Sequence, residues 1–334
     1  MGCYTNPESD GRVTLMRLKR RRRSPWQKKM KELVRGSFIR NVAVMASGTL
    51  ISQVIVLAAL PLLTRLYSPN EYGTYSTYVS VTSILLMIVS LAYENAITLH
   101  EDDKVASSVT ALSLWLCTGV SLITGIIITV FGGQLSSWMH ESSLSPYAAL
   151  FMLGVWGGGL YQILNGWSIR KKYFRELART KYTQTIGQIV SQLVLSLIHW
   201  GPFGLIAGEV VGRSGGLIPQ WRLWRRDVKQ GGIRVSLSDL KDVAYRYRRF
   251  PQWSLVSNLL NSFGIYLPTL LLAIFYGAHV AGLFALAQRI LGSPMTLIMN
   301  SVRNVYLAET SEHLTRDPSK LYPLFRKNFK PLAH

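Results

Sequence analysis

The chain has 334 residues, 49% of them hydrophobic and only 16% charged, too little charge to solvate a globular surface of that size. Lys and Arg exceed Asp and Glu to give a net charge of +20, but the basic residues fall between long apolar runs and not on a polar domain, which excludes a nucleic-acid reader. With two cysteines, Cys3 in a polar tail and Cys117 in an apolar run, neither a disulfide framework nor a cysteine metal cluster can be built.

Residues 1–36 carry the run Arg20-Arg21-Arg22-Arg23 and match neither a signal peptide nor a myristoylation signal, because Asn6 stands where Ser or Thr is required. They are expected to form a disordered basic extension. Two readings of it stay open: it binds anionic lipid head groups, or it precedes a true start at Met16 or Met30.

Crossing the ~30 Å hydrocarbon core takes about 20 mainly apolar residues in a helix, since backbone amides cannot be left unpaired in lipid. Eight segments qualify, at roughly 42–63, 75–99, 105–131, 147–168, 182–200, 202–220, 252–275 and 280–302. The expected fold class is therefore all-α: a polytopic membrane protein of about eight transmembrane helices.

Short loops rich in Lys and Arg are retained in the cytoplasm. Twelve Lys/Arg precede the first span, six lie in 169–181, nine in 221–250 and six after the last span, all on one side by parity, while the opposite loops hold only Arg65. Both termini are expected in the cytoplasm and the 132–146 loop outside. The acidic turn His100-Glu101-Asp102-Asp103 falls on the cytoplasmic side, where its carboxylates suit the positive end of the following helix.

The turn after span 1 reads Leu66-Tyr67-Ser68-Pro69-Asn70-Glu71-Tyr72-Gly73-Thr74-Tyr75; Ser68 and Glu71 form a capping box around Pro69. The turn after span 7 reads Phe275-Tyr276-Gly277-Ala278-His279-Val280-Ala281-Gly282-Leu283-Phe284. In both, a Tyr is followed six residues later by Gly and two further on by an aromatic residue, at a constant offset of 209. Spans 1–2 and 7–8 thus read as equivalent parts of two parallel repeats about an axis normal to the membrane.

The stretches Pro61-Leu62-Leu63-Thr64-Arg65-Leu66-Tyr67-Ser68-Pro69 through Gly73-Thr74-Tyr75, and Tyr247-Arg248-Arg249-Phe250-Pro251 through Gly282-Leu283-Phe284-Ala285-Leu286-Ala287-Gln288-Arg289 and Pro294, resemble the oligosaccharide flippase (polysaccharide biosynthesis protein) family. That family, which includes flippases of lipid-linked O-antigen, belongs to the exporter superfamily that also contains multidrug and toxin extrusion transporters. The resemblance covers about residues 30–310. It implies two six-helix lobes around a central cavity, a place in the bacterial inner membrane, and a polyprenyl-pyrophosphate-linked oligosaccharide as cargo, with membrane lipid and the polysaccharide polymerase machinery as further partners. The domains expected are the extension 1–36, a first six-helix lobe 37–221, a basic cytoplasmic linker 222–250 and a partial second lobe 251–334. A second lobe repeating the first would need about 90 to 100 further residues, so the chain resembles a truncated member.

Ionisable groups inside spans cost about 2.5 kcal/mol or more each, so each calls for a role. Glu209 and Arg213 stand four apart on span 6, either as a neutralising pair or facing a cavity. The same span carries Gly204, Gly208, Gly212 and Gly216, a ladder that lets another backbone approach. Glu94 and Arg289 have no charged neighbour on their own spans; Arg289 suits phosphate oxygens bidentately, or is bonded to carbonyls or to Glu94 across the bundle. Asn258, Asn261 and Gln53 suit hydroxyl-rich cargo or interhelical bonding, and Gly157-Gly158-Gly159 beside Trp156 and Tyr161 suits helix packing or a sugar-stacking wall. The candidate binding residues are Arg289, Arg213, Glu209, Glu94, Asn258 and Asn261.

The six His are scattered without metal or triad spacing, and the outer loops are too short for an active-site domain, so no catalytic residue, metal or cofactor is assigned. The chain is read as a transporter. The alternatives are a cation-coupled multidrug antiporter, which Glu94 would serve, and a membrane-embedded enzyme or partner of polysaccharide assembly.

Overall fold

The computed structural model of the protein describes residues 25–99, 102–138 and 145–316. It divides into two compact units, Met1–Arg40 and Asn41–His334, and the helices that build the site belong to the second. Residues 1–24, most of the expected basic extension, lie outside the described residues, as do His100 and Glu101.

Among the described residues all regular structure is helical: α1 Pro25–Leu66, α2 Pro69–Ile88, α3 Asp103–Trp138, α4 Ala148–Arg170, α5 Phe174–Leu197, α6 Pro202–Ser214, α7 Leu217–Gln230, α8 Leu237–Arg246 and α9 Leu255–Arg316. Three stretches, Val44–Leu66, Asp103–Gln134 and Phe250–Gly292, are apolar and long enough to cross a membrane. The protein is an all-α polytopic membrane protein. Other expected spans are helical but more polar, because their inward faces carry hydroxyls and amides: α2 buries Tyr72, Thr74, Tyr75, Ser76, Thr77 and Tyr78.

The Ser68–Glu71 capping box forms as expected, with Ser68 Oγ accepting from the Glu71 amide and the Glu71 carboxylate accepting from the Ser68 amide at 2.7 Å. Helix α2 accordingly starts at Pro69, where the capping box places it, six residues before the apolar window that begins at 75. It also ends early, at Ile88, where Leu91 and Ala92 take left-handed conformations and a 3₁₀ turn, Tyr93–Thr98, follows. The segment expected as 75–99 is therefore a helix and a separate turn.

The sixth span is likewise corrected. α6 stops at Ser214, after 13 residues, and Gly215-Gly216 redirects the chain into α7. Two successive glycines make such a break inexpensive. The 222–250 stretch is largely two amphipathic helices, the end of α7 and α8, the latter capped by Ser236 and Asp239. Spans 7 and 8 form one long element broken at Gly277, whose φ of 78° is open to glycine and strained for other residues.

Among the described residues the core lies in two larger clusters and a small third one around Ala273 and Ala281. Tyr67, Tyr72, Tyr75, Tyr78, Phe151, Leu205 and Ile206 join α2, α4 and α6. Val89, Ile97, Val109, Cys117, Ile163 and Trp167 join α3, α4 and the 3₁₀ turn. Cys117 is buried there as a small apolar side chain.

The glycines of α4 pack without breaking the helix. Each faces a different neighbour: Gly157 meets Ser214 of α6, Gly158 meets Leu86 of α2, and Gly159 meets Cys117 of α3 and Val89. At the start of α3, Asp103 pairs with Arg170 at 2.5 Å and Lys171 at 2.6 Å, so the acidic turn is bound to the end of α4 in addition to lying at a helix N-terminus.

Candidate functional site

The site is built on a knob-and-hole match between α5 and α6. Gln184, Gln188 and Gln192 recur every four residues on one face of α5, and Gly208, Gly212 and Gly215 lie opposite them. A Cβ on Gly208 would fall 2.4 Å from Gln192 Cγ, and one on Gly212 would fall 2.8 Å from Gln188 Cβ. The glycine ladder thus brings amide side chains into the interior, where each must find partners. Gln192 donates to Leu205 O at 3.1 Å, Gln188 to Glu209 at 2.6 Å and Gln184 to Arg213 O at 3.3 Å.

Glu209 is the hub. Its carboxylate accepts from Arg213 Nε at 2.8 Å, Tyr75 Oη at 2.8 Å and Gln188 Nε2 at 2.6 Å. Arg213 also donates to Ser83 Oγ at 3.2 Å, tying α6 to α2. The intrahelical pair foreseen from the four-residue spacing therefore forms and is the centre of a larger network.

Arg289 reaches the same region from α9. It donates from Nη1 to Tyr72 Oη at 2.9 Å, and Tyr75 and Glu209 both act on it. Tyr72 and Tyr75 pack edge to face, with centroids 5.5 Å apart. Two guanidiniums, Arg213 and Arg289, thus act on the one carboxylate of Glu209.

Beside this network opens a cleft of about 470 Å³, within the usual range of ligand sites, lined by α1, α2, α4, α5 and α6. Its walls are rich in amides and hydroxyls, among them Gln53, Gln162, Asn165, Gln184 and Gln188. Two cations meet it: Arg213, and Lys181, whose ammonium lies 5.9 Å from the centre of the Tyr161 ring. Such a surface can bond many hydroxyls and hold an anion between two positive groups.

The structure thus joins Arg213, Glu209 and Arg289 and leaves the other expected residues apart. Glu94 sits in the 3₁₀ turn, where Ser90 donates to one oxygen and Gln162 to the other at 3.0 Å. Asn258 is half-buried and Asn261 exposed on α9, and neither appears in the network. Among the described residues no group of His, Cys, Asp and Glu could hold a metal. Lys181 and the glutamines of α5 were not foreseen. Their signal was present in the four-residue spacing of Gln184, Gln188 and Gln192, which mirrors the spacing of the glycines on the next helix.

Residues 62–334 match the polysaccharide biosynthesis protein family, most of the chain and all of this site apart from Gln53 and its neighbours on α1. The chain belongs to that family. It is also similar to the succinoglycan biosynthesis transport protein ExoT of Rhizobium meliloti (strain 1021), at 23% identity over 256 residues, 74% of this chain and 48% of that protein. The chain thus spans about half the length of the curated relative it matches. No solved structure matches it. Family membership points to a part in polysaccharide biosynthesis.

Proposed function

We propose that the protein carries a polyprenyl-pyrophosphate-linked oligosaccharide across the bacterial inner membrane by alternating access between two lobes, the first being residues 37–221 and the second beginning at 251. The observation that supports this reading most is the cleft itself. An amide-rich wall suits a glycan, and Lys181 and Arg213 in the lining suit the pyrophosphate. The prenyl tail stays in lipid while the sugar crosses.

Arg289 is held to α2 in the present arrangement. It meets the cargo anion once α9 moves off α2, exchanging tyrosine for phosphate. The basic stretches face the cytoplasm, with both termini inside. A reporter active only outside the cytoplasm then works when fused after His140 and fails after Gly232; activity at Gly232 reverses the orientation.

The decisive experiment is complementation with the full-length gene in a host whose surface polysaccharide has been lost. Restored polysaccharide, abolished by Arg213→Ala and reduced by Lys181→Gln at equal protein levels, supports the proposal. Drug resistance without polysaccharide would make the protein a multidrug antiporter instead. Neither phenotype would point to a non-transporting partner of polysaccharide assembly.

A further inference from the structure

Helix α7 carries two stripes. Arg222, Arg225, Arg226 and Lys229 follow the i, i+3, i+4, i+7 spacing of one helix face, and Leu217, Ile218, Trp221 and Trp224, at i, i+1, i+4 and i+7, fall on the adjacent one. The helix packs on α4, where Gly216 approaches Tyr161, and the Asp227 carboxylate accepts from Trp167 Nε1 at 3.1 Å and from Tyr173 Oη at 3.0 Å.

Between α7 and α4 runs an open groove of about 720 Å³. At one end its floor is Trp156, Leu160, Leu217, Ile218 and Trp221; at the other its rim is Arg222, Arg225, Arg226 and Lys229. Ile218 is 65% exposed and Trp156 40% exposed while Leu160 lies buried beneath them, so the described residues leave the outer part of the floor open. From Ile218 to Lys229 the groove passes from apolar to cationic over about 16 Å of helix.

The cations are unequally engaged. Arg226 pairs with Asp227 at 3.4 Å and donates to Tyr173 Oη at 3.1 Å. Arg225 lies over the Trp221 ring at 5.8 Å. Among the described residues neither Arg222 nor Lys229 meets a carboxylate.

The geometry points to a binding site for an anionic phospholipid of the surrounding leaflet, its acyl chains along Trp156, Leu160 and Ile218 and its phosphate between Arg222 and Lys229. The polarity gradient matches a phospholipid in length and in sign. An apolar protein segment would leave Arg222 and Lys229 unmatched, and a zwitterionic lipid would offset them only in part. Tryptophans at the junction suit the head-group level of a bilayer. The lipid would brace α7 against α4 just past the Gly215-Gly216 break. This site lies outside the amide-lined cleft and stands independently of what the cleft carries.

The test is native mass spectrometry of the full chain, stripped of lipid in detergent and titrated with phosphatidylglycerol or phosphatidylcholine. One phosphatidylglycerol should remain bound at concentrations where phosphatidylcholine does not, and excess inorganic phosphate should not displace it. Replacing both Arg222→Gln and Lys229→Gln should weaken phosphatidylglycerol about thirtyfold, from the value of two interfacial cations. Ile218→Trp, which fills the groove and leaves every charge in place, should weaken it as well. Neutralising Arg20, Arg21, Arg22 and Arg23 to Gln should leave it unchanged. Equal affinity for the two lipids, or an undiminished adduct in the double variant, overturns the assignment; loss only on neutralising the arginine run transfers binding to the N-terminal segment.

Discussion

Gly73 and Gly282 meet in a reciprocal contact. A Cβ on Gly73 would fall 1.8 Å from the carbonyl oxygen of Ala278, and one on Gly282 would fall 1.9 Å from that of Pro69. Each glycine therefore lies on the carbonyl four residues before the other. A two-fold relation between two segments demands this exchange, and the pairs 69 and 278, 73 and 282 both differ by the 209 residues that separate the two similar turns in sequence. The glycines recur in the two turns because only glycine lets the helices touch backbone to backbone.

Alanine at either position must push α2 off α9, since the obstructing atoms are backbone and cannot turn away. Gly73→Ala and Gly282→Ala should each cost about 1–3 kcal/mol, the usual range for overpacking. Thermal unfolding in detergent reads this directly. Gly119→Ala is the control: nothing lies within 4 Å of its Cβ position, and alanine is the better helix former. A Gly282→Ala protein as stable as the Gly119→Ala protein would remove the contact from consideration.

Glu209 binds three donors from three helices, so it is more than the counter-ion of Arg213. Glu209→Gln puts an amide against groups that all need an acceptor. Removing one member of a buried ion pair typically costs about 3–5 kcal/mol. The loss should exceed that of Arg213→Met in the same background, and Glu209→Gln combined with Arg213→Met should be more stable than Glu209→Gln alone. Strict additivity of the two would place the ion pair outside the network's energetics.

The long apolar stretches Val44–Leu66, Asp103–Gln134 and Phe250–Gly292 were legible because hydrophobic length is a one-dimensional property, and the Ser68–Glu71 cap because its partners are three residues apart. The pair Glu209–Arg213 was legible for the same reason. The break at Gly215-Gly216 was hidden by the apolar residues on both sides, which keep the average high while the backbone turns. Arg289 could be picked out as a mid-span cation, but its partner Tyr72 lies 217 residues away and nothing local names it. Lys181 was passed over as one more positive charge of a cytoplasmic loop, although α5 starts at Phe174 and carries it two turns into a helix facing the cleft.

Helix α8 supplies a pH dependence with a definite sign. The Asp239 carboxyl is held down to about 2, first by the hydrogen bond from the Ser236 backbone amide and then by Lys104 of α3, 3.0 Å away. Its folded value lies below the unfolded 3.8, so its stabilising contribution is present above about 3.8 and is lost as pH falls through about 2. Amide exchange protection of α8, corrected for intrinsic rates, should hold as pH falls to 4 and decline below it. Asp239→Asn should lower protection at neutral pH and flatten the profile. A variant profile parallel to the wild type would assign the dependence to another group.

The last prediction separates two roles for Arg289, a clamp between α2 and α9 or a ligand for cargo. A clamp acts through Tyr72, Tyr75 and Glu209, so Tyr72→Phe, which removes one of these contacts, should cost about 2 kcal/mol, as for a hydrogen bond to a charged group, and should impair export part of the way that Arg289→Ala does. A ligand behaves otherwise. Tyr72→Phe then loosens the resting arrangement but leaves the guanidinium intact, so export in the full-length protein persists. Arg289→Ala abolishes it at normal protein levels, and Arg289→Lys restores only part, because an ammonium lacks the fork that matches two phosphate oxygens. Export and stability measured on the same three variants decide the matter, since a clamp makes the two fall together. The ligand role is lost if Arg289→Ala exports normally, and the anion must then be sought at Arg213 and Lys181, the two cations that line the cleft.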